Sequence, residues 1–159
     1  MSVPLKYAIV ERERRYLMDS MPGGVVGIRE IVDHYLIGTR LRLREVTEDD
    51  GSVTRKLTHK VRLHGDPTAV ACTNAYLDEA EWELLASLPA RTVRKQRHVV
   101  VRGEWRLVID RHADGTLVAE IDDGEGEPRG VPSWLDVRRE ITLEKPWTGA
   151  GVAERADPS

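Results

Sequence analysis

Turn chemistry punctuates this chain from end to end, and that punctuation leaves little room for long helices. MPGG at 21–24, DDGS at 49–52, HGDP at 64–67, ADGT at 113–116 and DDGEGEPRG at 122–130 each interrupt an extended, charge-rich run. Short runs between such turns form antiparallel strands, and eight are expected, at about 7–17, 29–36, 39–46, 53–62, 69–76, 92–101, 104–110 and 116–122. One segment reads as helical. Asp78 can cap EAEWELLASL, acids fill its first turn, Trp82, Leu85 and Leu88 recur on one face, and Pro89 stops it. A second short helix is expected around Ser133–Asp136. The sequence GAGVAERADPS at 149–159 is expected to fray as a flexible tail.

Reading each strand at period two separates its side chains into two faces, and charge gathers on one of them. Glu11, Glu13 and Arg15 share a face; so do Arg40, Arg42 and Arg44, opposite Leu41 and Leu43. Lys56, Thr58 and Lys60 align, as do Lys95 and Arg97. Arg106, Val108 and Asp110 oppose Trp105, Leu107 and Ile109, while Glu120 and Asp122 oppose Leu117, Ala119 and Ile121. A single strand of this kind is an ordinary half-solvated strand. Six in succession point to a sheet closed into a barrel, polar inside and apolar outside. The expected fold class is α+β, mainly β: an eight-stranded antiparallel tunnel barrel with a few flanking helices.

Such a tunnel gathers a basic set, Arg15, Arg42, Arg44, Lys60, Lys95 and Arg97, and an acidic set, Glu11, Glu13, Asp110, Glu120 and Asp122. Arginine and lysine supply donors for phosphate oxygens, and carboxylates are the hard ligands that Mg2+ or Mn2+ prefers. A polyanion carrying a divalent metal satisfies both sets. Five histidines, at 34, 59, 64, 98 and 112, show no metal-ligand spacing, and no GxxxxGK or GxGxxG loop is present.

Composition narrows the rest. With 159 residues, one domain is expected, its barrel spanning about 6–148. The 24 basic and 27 acidic residues argue against a nucleic-acid partner. A single cysteine, Cys72, excludes an internal disulfide, and no run of 18 apolar residues is present. A cytoplasmic protein with no membrane partner is the expectation. A homodimer is expected if helices leave the apolar outer faces of the strands uncovered.

In their order, these motifs resemble the CYTH superfamily, the triphosphate tunnel metalloenzymes. Glu11-Arg12-Glu13-Arg14-Arg15 matches the family's ExExK strand with Arg for the final Lys. IVDHYL at 31–36, the RxR pair Arg42 and Arg44, Leu57-Thr58-His59-Lys60 for LTxK, and the ELLASL helix follow. Then come Lys95 and Arg97 for KxR, Ile109-Asp110, Glu120-Ile121-Asp122 for the ExE strand, and WLDVRREIT at the close. The resemblance covers most of the chain. It implies metal-dependent hydrolysis of a triphosphate, inorganic tripolyphosphate or a small organic one, with Mg2+ or Mn2+ as cofactor. The chain departs from the family where an RxExE strand is expected: Val70, Cys72 and Asn74 stand in place of the arginine and both acids. That departure opens a second reading, a non-catalytic polyphosphate or nucleotide binder with a degraded metal site. Adenylyl cyclase activity, which uses the same residues, is a third.

Overall fold

The structure, a computed structural model, describes residues 4–156. Each expected strand is present: β1 (Ile9–Met18), β2 (Val25–Leu36), β3 (Leu41–Thr47), β4 (Val53–Arg62), β5 (Ala69–Tyr76), β6 (Ala90–Arg102), β7 (Trp105–His112) and β8 (Leu117–Asp122). Every pairing is antiparallel, in the order β5-β4-β3-β2-β6-β7-β8-β1. Pairing of β1 with β5, Ile9 opposite Cys72 through Arg12 opposite Ala69, closes the barrel. This is the closed eight-stranded barrel that the alternation of charge requires.

Helix α1 (Glu79–Ala86) forms where its signals place it: the Asp78 carboxylate accepts from the Glu81 backbone N–H, and the Glu81 side chain accepts from the Asp78 N–H. Trp82 packs against Leu36 and Leu43, so α1 covers the outer faces of β2, β3 and β4. Leu88 falls beyond the helix and is exposed. On the other side, Leu135 and Trp134 pack on Tyr16, Val100, Ile109 and Ile121, covering the outer faces of β1 and β6–β8. The apolar exterior is thus covered largely from within the chain. No helix is long and apolar enough to cross a membrane among the described residues.

Two expectations are corrected. Ser133–Asp136 is a turn, closed by a bond from the Leu135 N–H to the Pro132 carbonyl, that leads into a ninth strand, β9 (Val137–Glu140). That strand pairs with β1 at Tyr16–Met18. Nor is 149–156 a flexible tail: after a 3-10 turn at Lys145–Trp147, Gly149–Ala156 forms helix α2, with Ala153 fully buried. The rest of that segment, 157–159, lies outside the described residues. A Cβ on Gly149 would lie 1.7 Å from the Tyr35 hydroxyl, so the missing side chain is what lets α2 settle on β2.

Candidate functional site

Closure of the sheet turns the charged faces inward around a cavity of about 520 Å³. β1 contributes Glu11, Glu13 and Arg15; β3 contributes Arg42 and Arg44; β4 contributes Lys56, Thr58 and Lys60; β6 contributes Lys95 and Arg97; β8 contributes Glu120. Nine of the eleven residues expected from sequence line this one space. Gly149, Ala150 and Ala153 of α2 line it too, so the helix is part of the cavity's wall.

Inside, the two sets pair unevenly. Asp33 of β2 lies opposite Arg44 in register and accepts two bonds from its guanidinium, at 2.6 and 2.7 Å. Burial works to raise the Asp33 pKa, but Arg44 outweighs it and holds the carboxyl at about 2. Asp33 is a functional neighbour that sequence reasoning missed; its signal was a carboxylate within the apolar run IVDHYL. Asp110 accepts from Lys95 Nζ at 2.5 Å and from Arg97 Nε at 2.8 Å, while Arg97 also reaches Glu120 at 2.6 Å. Against burial, Lys95 and Arg97 hold the Asp110 carboxyl well below its usual range.

Two acids expected as metal ligands are corrected by this geometry. Asp110 is sealed behind Lys95 and Arg97, outside the cavity lining. Asp122, the last residue of β8, is exposed, and its Oδ1 accepts from the Gly124 N–H in a turn. Arg15 lines the cavity with a buried Nε that has no hydrogen-bond partner, while its Nη atoms donate to the Trp147 and Thr142 carbonyls, at 3.1 and 3.2 Å. Its planar fork therefore also clamps the segment leading into α2.

Three acids remain on the lining. Glu11 holds Lys60 at 3.1 Å; burial raises its pKa, but Lys60 more than offsets this and the net direction is down. Glu120 is bound to Arg97. Glu13 has no salt bridge among the described residues, and its pKa is raised, first by burial and then by the charge of Glu120. No group of three or more metal-ligating side chains comes together among the described residues. What does fit a divalent cation is the Glu13–Glu120 pair, two half-buried like charges on the lining that a cation would reconcile, since Mg2+ commonly takes one or two carboxylates and completes its shell with phosphate oxygens and water.

Burial of Glu13, reinforced by the charge of Glu120, has a measurable sign. A folded-state pKa above the unfolded value means that stability falls as pH rises past the ordinary glutamate value of 4.5. Glu13→Gln is therefore expected to raise the Tm at pH 7–8, with each kcal/mol recovered worth about 2–4 °C in a chain of this size. The gain should shrink toward pH 5. An equal or lower Tm for the variant at pH 8 would show that the charged Glu13 carries no such penalty.

No protein-family model and no curated protein matches the sequence. Among solved structures, the inorganic triphosphatase NE1496 superposes with a TM-score of 0.56 at 17% identity, over 90% of this chain and 93% of that one. A second structure of NE1496 gives 0.55 at 17% identity, over 90% and 97%. The PH1012 protein from Pyrococcus horikoshii OT3 gives 0.50 at 16% identity, over 70% and 77%. The likeness shows a shared fold, the closed eight-stranded antiparallel barrel. That barrel is shared with an inorganic triphosphatase along nearly the whole of both chains.

Proposed function

We propose that the chain binds a short triphosphate, inorganic tripolyphosphate or a small organic triphosphate, in this tunnel and hydrolyses it with the aid of Mg2+ or Mn2+. One observation carries the reading: five cations from three different strands, Arg42, Lys56, Lys60, Lys95 and Arg97, converge on one cavity that also holds Glu13, which has no salt bridge among the described residues. Cations spread around a closed wall suit a linear polyanion. A globular surface with the same charges would dissipate them in water.

Hydrolysis of a phosphoric anhydride asks little covalent chemistry of a protein. Water oxygen bonds to phosphorus, the bridging P–O bond breaks, and charge shifts onto the leaving oxygen. Arg42, Lys56 and Lys60 grip phosphate oxygens, and Lys95 and Arg97, fixed by Asp110, offer donors that need not reorganise as charge develops. Arg44 keeps its fork on Asp33 and acts by holding the β2–β3 wall rigid. Glu13 and Glu120 would hold the cation, which when bound withdraws charge from phosphate oxygens and lowers the pKa of a bound water.

Release of inorganic phosphate from tripolyphosphate, ATP and thiamine triphosphate, each with Mg2+, Mn2+ or EDTA, tests the proposal. Release from at least one substrate that EDTA stops is the expected result. Silence across the panel on folded protein would overturn hydrolysis in favour of the binding-only reading. A specific feature favours that second reading: Val70, Cys72 and Asn74, neutral where the family carries charge, all face the cavity. Cyclic AMP from ATP in the same assay would identify a cyclase.

A further inference from the structure

The β3–β4 wall carries more positive charge than its own carboxylate neutralises. Arg42 and Arg44 share Asp33 of β2, whose two oxygens are already taken by Arg44. Arg42 Nε lies 3.8 Å from Asp33 and is buried without a hydrogen-bond partner. Lys56 lies opposite Arg44 in register, lines the cavity, and forms no salt bridge among the described residues. Burial first, and then Arg44 and Arg42, push its pKa down, as crowded cations do.

Continuing this wall, β5 pairs with β4 and offers no acid. The Thr58 hydroxyl accepts from Arg42 Nη2 at 3.3 Å and donates to Asn74 Oδ1 at 2.7 Å, and Asn74 Nδ2 turns to Cys72 Sγ at 3.7 Å. Every member of that chain beyond Arg42 is neutral. Where a tunnel sets acids beside its cations, an incoming polyanion meets like charge and needs a metal ion between them. Here the anion meets donors directly, on a concave wall where the charge-assisted bonds of several cations converge.

We infer that Arg42 and Lys56 form an anion seat that takes one end of a polyphosphate chain without any divalent cation, leaving the metal's work to the Glu13–Glu120 side of the tunnel. The inference rests on the polyphosphate reading above and goes further, since it separates capture from cleavage and assigns Lys56, which no strand motif singles out, to the capture step. Loss of the β5 acids, which by family pattern looks like decay, is then what creates the seat.

Calorimetric titration of the whole chain with sodium tripolyphosphate tests it, once in EDTA and once in Mg2+. Saturable binding in EDTA is expected, weakened at least about tenfold, or about 1.4 kcal/mol, by Lys56→Met. Asn74→Glu, which returns an acid to the wall while leaving Lys56 in place, should weaken binding in EDTA by a similar factor. Binding of the unaltered chain only in Mg2+ would overturn the seat while leaving the polyphosphate reading standing. Absence of binding in both buffers would overturn both. Affinity in EDTA unchanged by both substitutions would move capture to another wall and overturn the assignment.

Discussion

Asp110→Asn lowers the unfolding free energy by about 3–5 kcal/mol, the largest stability effect expected of any single change in the tunnel. The side chain is 1% exposed and holds two cations at once, Lys95 and Arg97. Neutralising it leaves Lys95 buried without a counter-charge and Arg97 with Glu120 alone. In a chain of this length that corresponds to a fall in Tm of about 6–20 °C. Acid works in the same direction in the unaltered protein. Because the folded carboxyl sits well below its ordinary value of 3.8, its contribution is complete above that value, begins to shrink below it, and is lost only as pH falls through the folded value. Urea titrations of both proteins at pH 7 and pH 3 check this: the gap between them should be wide at pH 7 and narrower at pH 3. A variant that matches the unaltered protein at pH 7 would mean that the triad contributes nothing to the fold.

Arg42→Ala, by contrast, should leave the fold standing and remove about 10²–10³-fold from kcat for tripolyphosphate, the usual effect of deleting one preorganised donor from a developing charge. The sequence presents Arg42 and Arg44 as equals, two arginines on one face of one strand. The structure divides them. Arg44 is committed to Asp33 through both nitrogens of a bidentate pair, whereas Arg42 keeps a buried Nε unpartnered beside the cavity. Removing Arg42 orphans no carboxylate, so melting temperature and turnover should part company. Turnover equal to that of the unaltered protein would contradict the proposed function.

Much of this was legible in the chain itself. Alternation at period two located the strands and named the inward residues, because a closed barrel offers each side chain only two choices. Partners were less legible, since a face does not specify a register. That Asp110 would serve Lys95 and Arg97 depends on β6 and β7 aligning Arg97 with Asp110. That Asp33 would occupy Arg44 depends likewise on the β2–β3 register. Asp122 read as part of the inner row, but at the end of β8 a competing local bond to the Gly124 N–H drew it away. β9 is only four residues long, too short for a periodic pattern to register. The sequence GAGVAERA carries few large apolar side chains, so its apolar stripe is built of small residues, and α2 owes its place to their docking beneath Tyr35.

Arg15 ties the first strand to the last described segment across 132 positions of sequence, from its guanidinium to the Trp147 carbonyl. A chain emerging vectorially from a ribosome therefore makes its N-terminal hairpins long before the residues that finish the tunnel exist. Until Thr142 and Trp147 arrive, Arg15 has neither of its clamping acceptors, and the small residues of α2 that wall the cavity are missing. A nascent barrel is an open trough, with its inward cations bathed in solvent. The tunnel's charged interior is thus among the last parts of the molecule to acquire its working dielectric.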